Sequence, residues 1–281
     1  MLVNKFKHHF FEELSSLYPE TEIQSFFNIL LKEHLSISRI ELALQPQLEF
    51  SKNQYEFFQK ALENLKKEIP IQYIIGTTNF YGLPFKVNEN VLIPRPETEE
   101  LVEWIITSTL LSNPIKILDI GTGSGCIAIS LAKNISNAEV CAIDISLEAI
   151  KTAQKNAEIN HVNVHFIETN ILNTEKLPAV FDIIVSNPPY VSELEKKEMK
   201  KNVLANEPHL ALFVENNNPL LFYDKIADLA KTHLTKNGTL YFEINQYLGN
   251  ETVELLKLKG YKTIELKKDI YGADRMIKAQ L

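Results

Sequence analysis

The chain has 281 residues, of which 45% are hydrophobic and 23% charged, a composition typical of a globular protein that buries a core. The 29 basic against 36 acidic residues give a net charge of -7, which argues against broad capture of phosphate backbones and predicts no stable nucleic-acid binding. No apolar run reaches the ~18 residues of a membrane helix, and the two cysteines form no metal or disulfide pattern, so we expect a cytoplasmic protein without a membrane or metal partner.

The first segment, up to about residue 68, has the periodicity of amphipathic helices. Apolar residues recur three and four positions apart, as Phe27 does with Leu30 and Leu31. No glycine occurs before Gly76, and Ser51 is placed to cap a helix. We therefore predict a small N-terminal helical bundle domain over residues 1–75.

The residue composition changes between Pro70 and Pro96. Four prolines and two glycines interrupt short β-type runs, which favours a hairpin-containing linker over residues 76–97. Thr98 then begins a helical run whose early glutamates suit a helix N-terminus. Residues 98–281 are predicted to form a second domain.

Beyond that helix, apolar strands alternate with amphipathic helices. The predicted strands are IKILDI, AEVCAI, VNVHFI, FDIIVS and TLYFEI, followed by the closing strands YKTIELKK and DRMIKAQ. This alternation predicts an α/β fold in which helices cover both faces of a mostly parallel sheet. Because ligands bind outside the carboxyl ends of such strands, the loops that follow the strands are the first candidates for a site.

The loop after the first of these strands is rich in glycine. It reads DIGTGSG over residues 119–125, where glycine permits positive φ and close approach of the backbone to a ligand. The N-terminus of the next helix adds free N–H groups. The spacing is GxGxG rather than the GxGxxG of dinucleotide-binding enzymes, so the loop indicates a nucleotide-type cofactor and leaves a nicotinamide enzyme as an alternative.

An acidic residue, Asp144, ends the second strand about 20 residues beyond the glycines. Its carboxylate is placed to accept hydrogen bonds from ribose hydroxyls, which either cofactor would require. The alternative is that Asp144 only caps the helix that starts near Ser146.

The fourth strand ends in a rigid corner that consists of Asn187, Pro188, Pro189 and Tyr190. A planar amide or aromatic amine is a poor nucleophile, so its two N–H bonds must be fixed before it can be methylated. The side-chain oxygen of Asn187 and the carbonyl of Pro188 can accept these bonds and stabilise the positive charge that develops on nitrogen. The prolines fix the backbone, and Tyr190 supplies a flat wall. The alternative is a rigid loop without chemistry.

Taken together, DIGTGSG, Asp144 and SNPPY resemble the class I S-adenosylmethionine-dependent methyltransferases, whose Rossmann-like sheet has seven strands with the last one antiparallel. More narrowly, the IPRPETE segment, SNPPYV, ANEPHLAL and DIYGADRM resemble the release-factor glutamine N5-methyltransferases over nearly the whole chain. The resemblance implies an enzyme that methylates the glutamine of the Gly-Gly-Gln loop in peptide-chain release factors, with the N-terminal domain recognising that protein. We expect the enzyme to be a monomer.

Site residues carried over from this resemblance fall on three loops and the corner. For S-adenosylmethionine they are Gly121, Thr122, Gly123, Ser124 and Gly125 along the methionine and ribose, Asp144 on the ribose, and Asn170 with Ile171 at the adenine. The family commonly has an acidic and an aromatic residue at the last two positions. Asn187 would touch both cofactor and substrate, and Asn187, Pro188 and Tyr190 would carry the catalysis, with Pro189 also in the substrate clamp.

Arg95 and Glu243 are further candidate site residues, and two other functions would be compatible with this sequence. Arg95 either reaches the mouth of the site or anchors its loop on a surface acid. Glu243, at the end of TLYFEI, either caps a helix or supports the site from behind. An amino-group methyltransferase for adenine or guanine would use the same corner but should show a basic groove and a base-stacking surface. A non-catalytic binding module is the other alternative.

Overall fold

The computed structural model describes residues 1–109, 114–192, 206–208, 213–214 and 218–281. They fall into two units, of which one contains Met1–Gly76 and the other contains most of the chain from Thr77 onward. No helix in these ranges has the length and apolar composition needed to cross a bilayer.

The first unit is helical, as its periodicity predicted. Its helices are α1 (Val3–Leu14), α2 (Glu20–Leu30), α3 (Arg39–Leu44), α4 (Lys52–Lys66) and α5 (Ile71–Ile75), with a π-helical turn at Leu31–Leu35. Ser51 caps α4, and Gln54 returns a side-chain bond to the Ser51 N–H, so both end groups are satisfied. The core between the helices is aromatic and includes Phe6, Phe10, Phe27 and Phe58.

A hairpin begins the second unit. Strands β1 (Thr77–Phe80) and β2 (Leu83–Lys86) are joined by Tyr81 and Gly82, both with positive φ, which is the conformation of a type I′ hairpin turn. Helix α6 (Pro96–Ser108) follows. It begins two residues before the predicted start at Thr98, because the fixed φ of Pro96 suits the first helical position.

Seven strands of the described residues form one sheet. They are β3 (Ile115–Ile120), β4 (Ala138–Asp144), β5 (Val164–Glu168), β6 (Phe181–Ser186), β9 (Leu234–Glu243), β10 (Thr263–Lys268) and β11 (Asp274–Gln280), while β7 (Val191–Ser192) and β8 (Phe213–Val214) pair separately. The order is β10-β11-β9-β6-β3-β4-β5, and all neighbours are parallel except those of β11. This confirms the predicted mostly parallel sheet with an antiparallel last strand.

One predicted strand boundary was wrong. Strand β9 begins at Leu234, five residues before the TLYFEI stretch, because Lys236, Asn237 and Gly238 lie within the strand. They form an irregularity within the strand, where the pairing with β6 jumps from Leu234 to Thr239.

Helices cover both faces of the sheet. They include α7 (Cys126–Asn134), α8 (Leu147–Asn160), α9 (Leu221–His233) and α10 (Gly249–Leu258). Successive residues of a strand point to opposite faces, so Ile117 packs in one apolar core and Leu118 in the other, both fully buried. Because β3, β4, β5, β6 and β9 run in the same direction, the loops after them meet at one edge of the sheet.

Candidate functional site

A cavity of about 380 Å³ lies at this edge of the sheet. It brings together most of the residues predicted from sequence, namely Gly121, Thr122, Gly123, Ser124, Asp144, Asn170, Ile171, Asn187, Pro188 and Pro189. Gly125 and Tyr190 do not line it. Its size is within the range of small-molecule and cofactor sites, and the rest of its wall is largely apolar.

The glycines of the DIGTGSG loop play two different structural roles. Gly121 and Gly123 have φ of 76° and 53°, and a methyl group added to either would meet no atom within 4 Å. Gly125 has φ of 81°, and its added methyl would lie 2.9 Å from Ile129 and 3.0 Å from Ala153. The first two glycines therefore leave open space above the loop, whereas Gly125 lets α7 and α8 pack closely.

Asp144 joins two loops of the site. One carboxylate oxygen accepts a 2.8 Å hydrogen bond from the Gly123 N–H, and the other accepts a 2.9 Å bond from the Ser146 N–H. The side chain that caps α8 is that of Ser146, which accepts from the Ala149 N–H. Burial raises the pKa of the Asp144 carboxyl, while these backbone N–H groups oppose the shift. The carboxylate retains lone-pair capacity for a further donor, such as a ribose hydroxyl.

Asp119, the first residue of the same motif, was not selected from the sequence. It is fully buried and accepts a 2.6 Å bond from the Thr122 hydroxyl. Burial raises the pKa of Asp119 to about 7, and the hydrogen bond from the Thr122 hydroxyl opposes this shift. The carboxylate thus ties the end of β3 to Thr122 in the glycine loop, while its other oxygen is buried without a hydrogen-bond partner among the described residues. Its position as the acidic residue of DIGTGSG was the available signal.

The loop after β5 supplies two of the predicted residues that line the cavity. Asn170 caps a 3-10 turn at Ile171–Asn173 by accepting a 3.0 Å bond from the Leu172 N–H. Ile171 is buried, and both residues line the cavity together with the half-exposed Ile145 from the loop after β4. These side chains form an apolar slot with one polar amide at its edge.

The corner after β6 is held by neighbouring strands. The Ser186 hydroxyl donates a 2.7 Å bond to the carbonyl of Ile120 on β3. The side-chain amide of Asn245, beyond β9, donates a 3.0 Å bond to the Tyr190 carbonyl. Asn187 and Pro188 lie between these anchors and face the cavity, so their acceptor groups are fixed before any ligand arrives.

A buried polar cluster lies behind the corner. The Asn187 side-chain amide donates to the Thr98 hydroxyl at 3.4 Å, and that hydroxyl donates to the Glu243 carboxylate at 2.6 Å. The Tyr190 hydroxyl is 3.5 Å from the other Glu243 oxygen. Burial raises the pKa of Glu243 to about 7, against opposing effects of Thr98 and Arg275. Of the two roles considered for Glu243, the structure supports the one behind the site.

Arg95 lines the cavity and also anchors its loop. Its guanidinium pairs at 2.6 Å with Glu207, whose side chain is almost fully buried, so the partner is not the surface acid that was expected. Sequence reasoning missed the segment before it, in which Glu89, Asn90, Val91 and Leu92 also line the cavity. Only the likeness of the IPRPETE segment to a known family pointed to this part of the chain.

Comparison with known proteins gives consistent matches. Residues 8–76 match the PrmC N-terminal domain and residues 103–212 match the methyltransferase small domain. A release factor glutamine methyltransferase of Flavobacterium psychrophilum is 60% identical over 99% of each chain, and one of Bacteroides thetaiotaomicron is 40% identical over 99% of each. The solved structure of a Thermus thermophilus 16S rRNA N2 G1207 methyltransferase has a TM-score of 0.52 at 19% identity, over 73% of this chain and 49% of that one, and shows the fold alone.

Proposed function

Because this chain belongs to the release factor glutamine methyltransferase family, we propose that it methylates the side-chain amide nitrogen, N5, of the glutamine in the Gly-Gly-Gln loop of peptide-chain release factors. The observation that carries the proposal is the shared cavity. Asn187 and Pro188, which can hold an amide, line the same space as the glycine loop and Asp144, which can hold a nucleoside.

S-adenosylmethionine is the proposed cofactor, and when bound it supplies a methyl group made electrophilic by a positively charged sulfur. The residues present fit it. The open space above Gly121 and Gly123 would admit the methionine portion, and the free lone pairs of Asp144 would accept the ribose hydroxyls. The slot at Asn170 and Ile171 would enclose the adenine, with Ser124 and Thr122 on the loop between.

Asn187 and Pro188 would act on the substrate glutamine. Two acceptors, the Asn187 side-chain oxygen and the Pro188 carbonyl, would take the two N–H bonds of its amide and so direct the nitrogen toward the methyl group. As the nitrogen gains a bond it becomes more positive, and both acceptors then bind it more strongly than before. Tyr190 supports the corner from behind, and Pro189 limits its backbone freedom.

No general base is required in this scheme. Most of the rate gain comes from holding nitrogen and methyl in contact and from the charge stabilisation above. Once methylated, the nitrogen is acidic, and one of the two protons that hydrogen-bond to the Asn187 and Pro188 oxygens is lost to water.

The domain organisation is assigned accordingly. Residues 1–75 would recognise the release factor. Residues 76–97, predicted as a linker, include the hairpin that begins the second unit and part of the cavity wall, so we propose that they carry the chemistry together with residues 98–281. The net charge of -7 favours a protein partner over stable nucleic-acid binding, and we propose that the enzyme acts as a monomer. A release-factor substrate also implies a cytoplasmic reaction.

The test is transfer of labelled methyl from S-adenosylmethionine to a purified release factor. A release factor with Gln→Ala in its Gly-Gly-Gln loop is the matched control, and duplex DNA and structured RNA are the competing substrates. Label on the intact factor and not on the control supports the proposal. Label on nucleic acid alone would show that nucleic acid, and not the release factor, is the substrate. Absence of label on every sample would favour a non-catalytic role.

A further inference from the structure

We propose that Thr98 and Glu243 are positioning residues that fix which end of the Asn187 side-chain amide faces the substrate. The proposal rests on the proposed function, in which the Asn187 oxygen accepts a substrate N–H. It assigns a role to two buried residues that the reaction scheme does not otherwise use.

The three residues come from distant parts of the sequence. Thr98 lies in the first turn of α6, Glu243 ends β9, and Asn187 follows β6. Thr98 and Glu243 are 2% and 1% exposed, so water has little access to their hydrogen bonds. A buried threonine hydroxyl beside a buried carboxylate has few alternative partners.

The direction of each hydrogen bond follows from the chemistry of Glu243. An ionised carboxylate only accepts, so the single proton of the Thr98 hydroxyl points to it across 2.6 Å. The Thr98 oxygen then offers only lone pairs to Asn187. The nitrogen end of the amide can satisfy a lone pair and the oxygen end cannot, which agrees with the 3.4 Å contact from Asn187 Nδ2 to Thr98 Oγ1.

A hydrogen bond that fixes the orientation of Asn187 is needed because the two ends of an amide have nearly the same shape. Packing alone barely distinguishes them, whereas their hydrogen-bonding roles are opposite. If the Asn187 amide turned over, its NH₂ would oppose the N–H of the substrate glutamine, and the transition state would lose the acceptor that stabilises it. With Nδ2 held by Thr98, Oδ1 is the end left for the substrate.

The experiment compares Thr98→Val, which keeps the shape of the side chain and loses the hydroxyl, with Thr98→Ser, which keeps the hydroxyl. We expect Thr98→Val to lower kcat for release-factor methylation about 10-fold to 100-fold with little change in cofactor affinity. Thr98→Ser should recover most of this loss. Thr252→Val removes an equally buried hydroxyl that donates to the carbonyl of Leu248, the residue before α10, and it serves as the control for general effects of the substitution.

A double-mutant cycle separates positioning from a merely structural role. If Thr98 acts through Asn187, Thr98→Val should cause no further loss of kcat in an Asn187→Ala background. Additive losses, or a Thr98→Val enzyme with the kcat of the unchanged protein, would overturn the proposal.

A second measurement is independent of the substrate. The ¹⁵N-labelled side-chain NH₂ of Asn187, identified by its disappearance in Asn187→Ala, should shift in Thr98→Val and stay in place in Thr252→Val. An unchanged signal in Thr98→Val would contradict the proposed hydrogen bond. Absence of methyl transfer by the unchanged protein would count against the proposed function, while this signal would still decide the orientation of Asn187.

Discussion

The backbone N–H of Gly123 donates a 2.8 Å hydrogen bond to the carboxylate of Asp144, 21 residues further along the chain. The loop after β3 is therefore held by the loop after β4. One side chain both shapes the glycine loop and offers lone pairs to a ligand, so its loss should affect cofactor binding in two ways.

Asp144→Ala is expected to weaken S-adenosylmethionine binding at least about tenfold, because it removes the ribose acceptor and releases Gly123. Isothermal titration calorimetry measures the change. Asp182→Ala is the matched control, since Asp182 also accepts a backbone N–H and a hydroxyl but lies at the opposite end of β6. Equal affinities for Asp144→Ala and the unchanged protein would refute the ribose assignment.

Asn187→Ala should lower turnover about 100-fold or more while the cofactor still binds. The physical reason is that one of the two acceptors for the substrate amide is lost, whereas the glycine loop and Asp144 are untouched. Single-turnover methylation and calorimetry on the same preparation test the two parts. Near-normal turnover would show that Asn187 takes no part in the reaction.

Two glycine variants should separate binding from folding. Gly121→Ala places a methyl group in open space above the loop, so we expect weaker cofactor binding and a stability loss of only about 1–2 kcal/mol from the positive φ. Gly125→Ala adds the close contacts with Ile129 and Ala153, and should cost about 2–4 kcal/mol. Urea unfolding gives the stabilities, and the reverse order would contradict these roles.

The reaction should slow as pH falls through the pKa of Glu243, which burial raises to about 7. Above it the carboxylate accepts from Thr98, while below it Glu243 carries a proton and frees the Thr98 hydroxyl to turn toward Asn187. The surrounding groups act on the same carboxyl, with Arg275 favouring the ionised form, Glu97 opposing it and the Tyr190 hydroxyl facing one oxygen. The Tyr223 hydroxyl donates instead to the backbone carbonyl of Glu243.

The profile of log kcat against pH is the measurement for Glu243. Glu243→Gln keeps an oxygen that can accept from Thr98 but does not titrate, so it should remove the inflection near pH 7. A profile that keeps the same inflection in Glu243→Gln would assign it to another group.

Asp119 should make the protein less stable as pH rises. Its pKa is 3.8 in the unfolded chain and about 7 in the folded one, so between these values only the folded state holds the proton. The free energy of unfolding therefore falls across that window, by on the order of a few kcal/mol. Denaturant unfolding at pH 4.5 and 7.5 should show a smaller fall in Asp119→Asn than in the unchanged protein, and equal falls would refute the prediction.

Local patterns in the sequence determined the two kinds of secondary structure and the order in which they alternate. A strand or a helix depends mainly on neighbouring residues, so IKILDI and FDIIVS were located to the residue, and the loop after each was recognised. Parallel strands then require that these loops share one edge of the sheet, so the sequence alone places the glycine loop, Asp144 and the corner at the same edge.

The tertiary structure alone decided which distant side chains meet behind that edge. Thr98 contacts Glu243 across 145 residues and Arg95 contacts Glu207 across 112, and no local periodicity carries such information. Those pairings depend on how α6 and its preceding segment pack against the ends of the strands, where shifts of about an ångström decide whether a hydrogen bond forms. The sequence thus determined which groups are available for the chemistry, and packing determined how they are oriented.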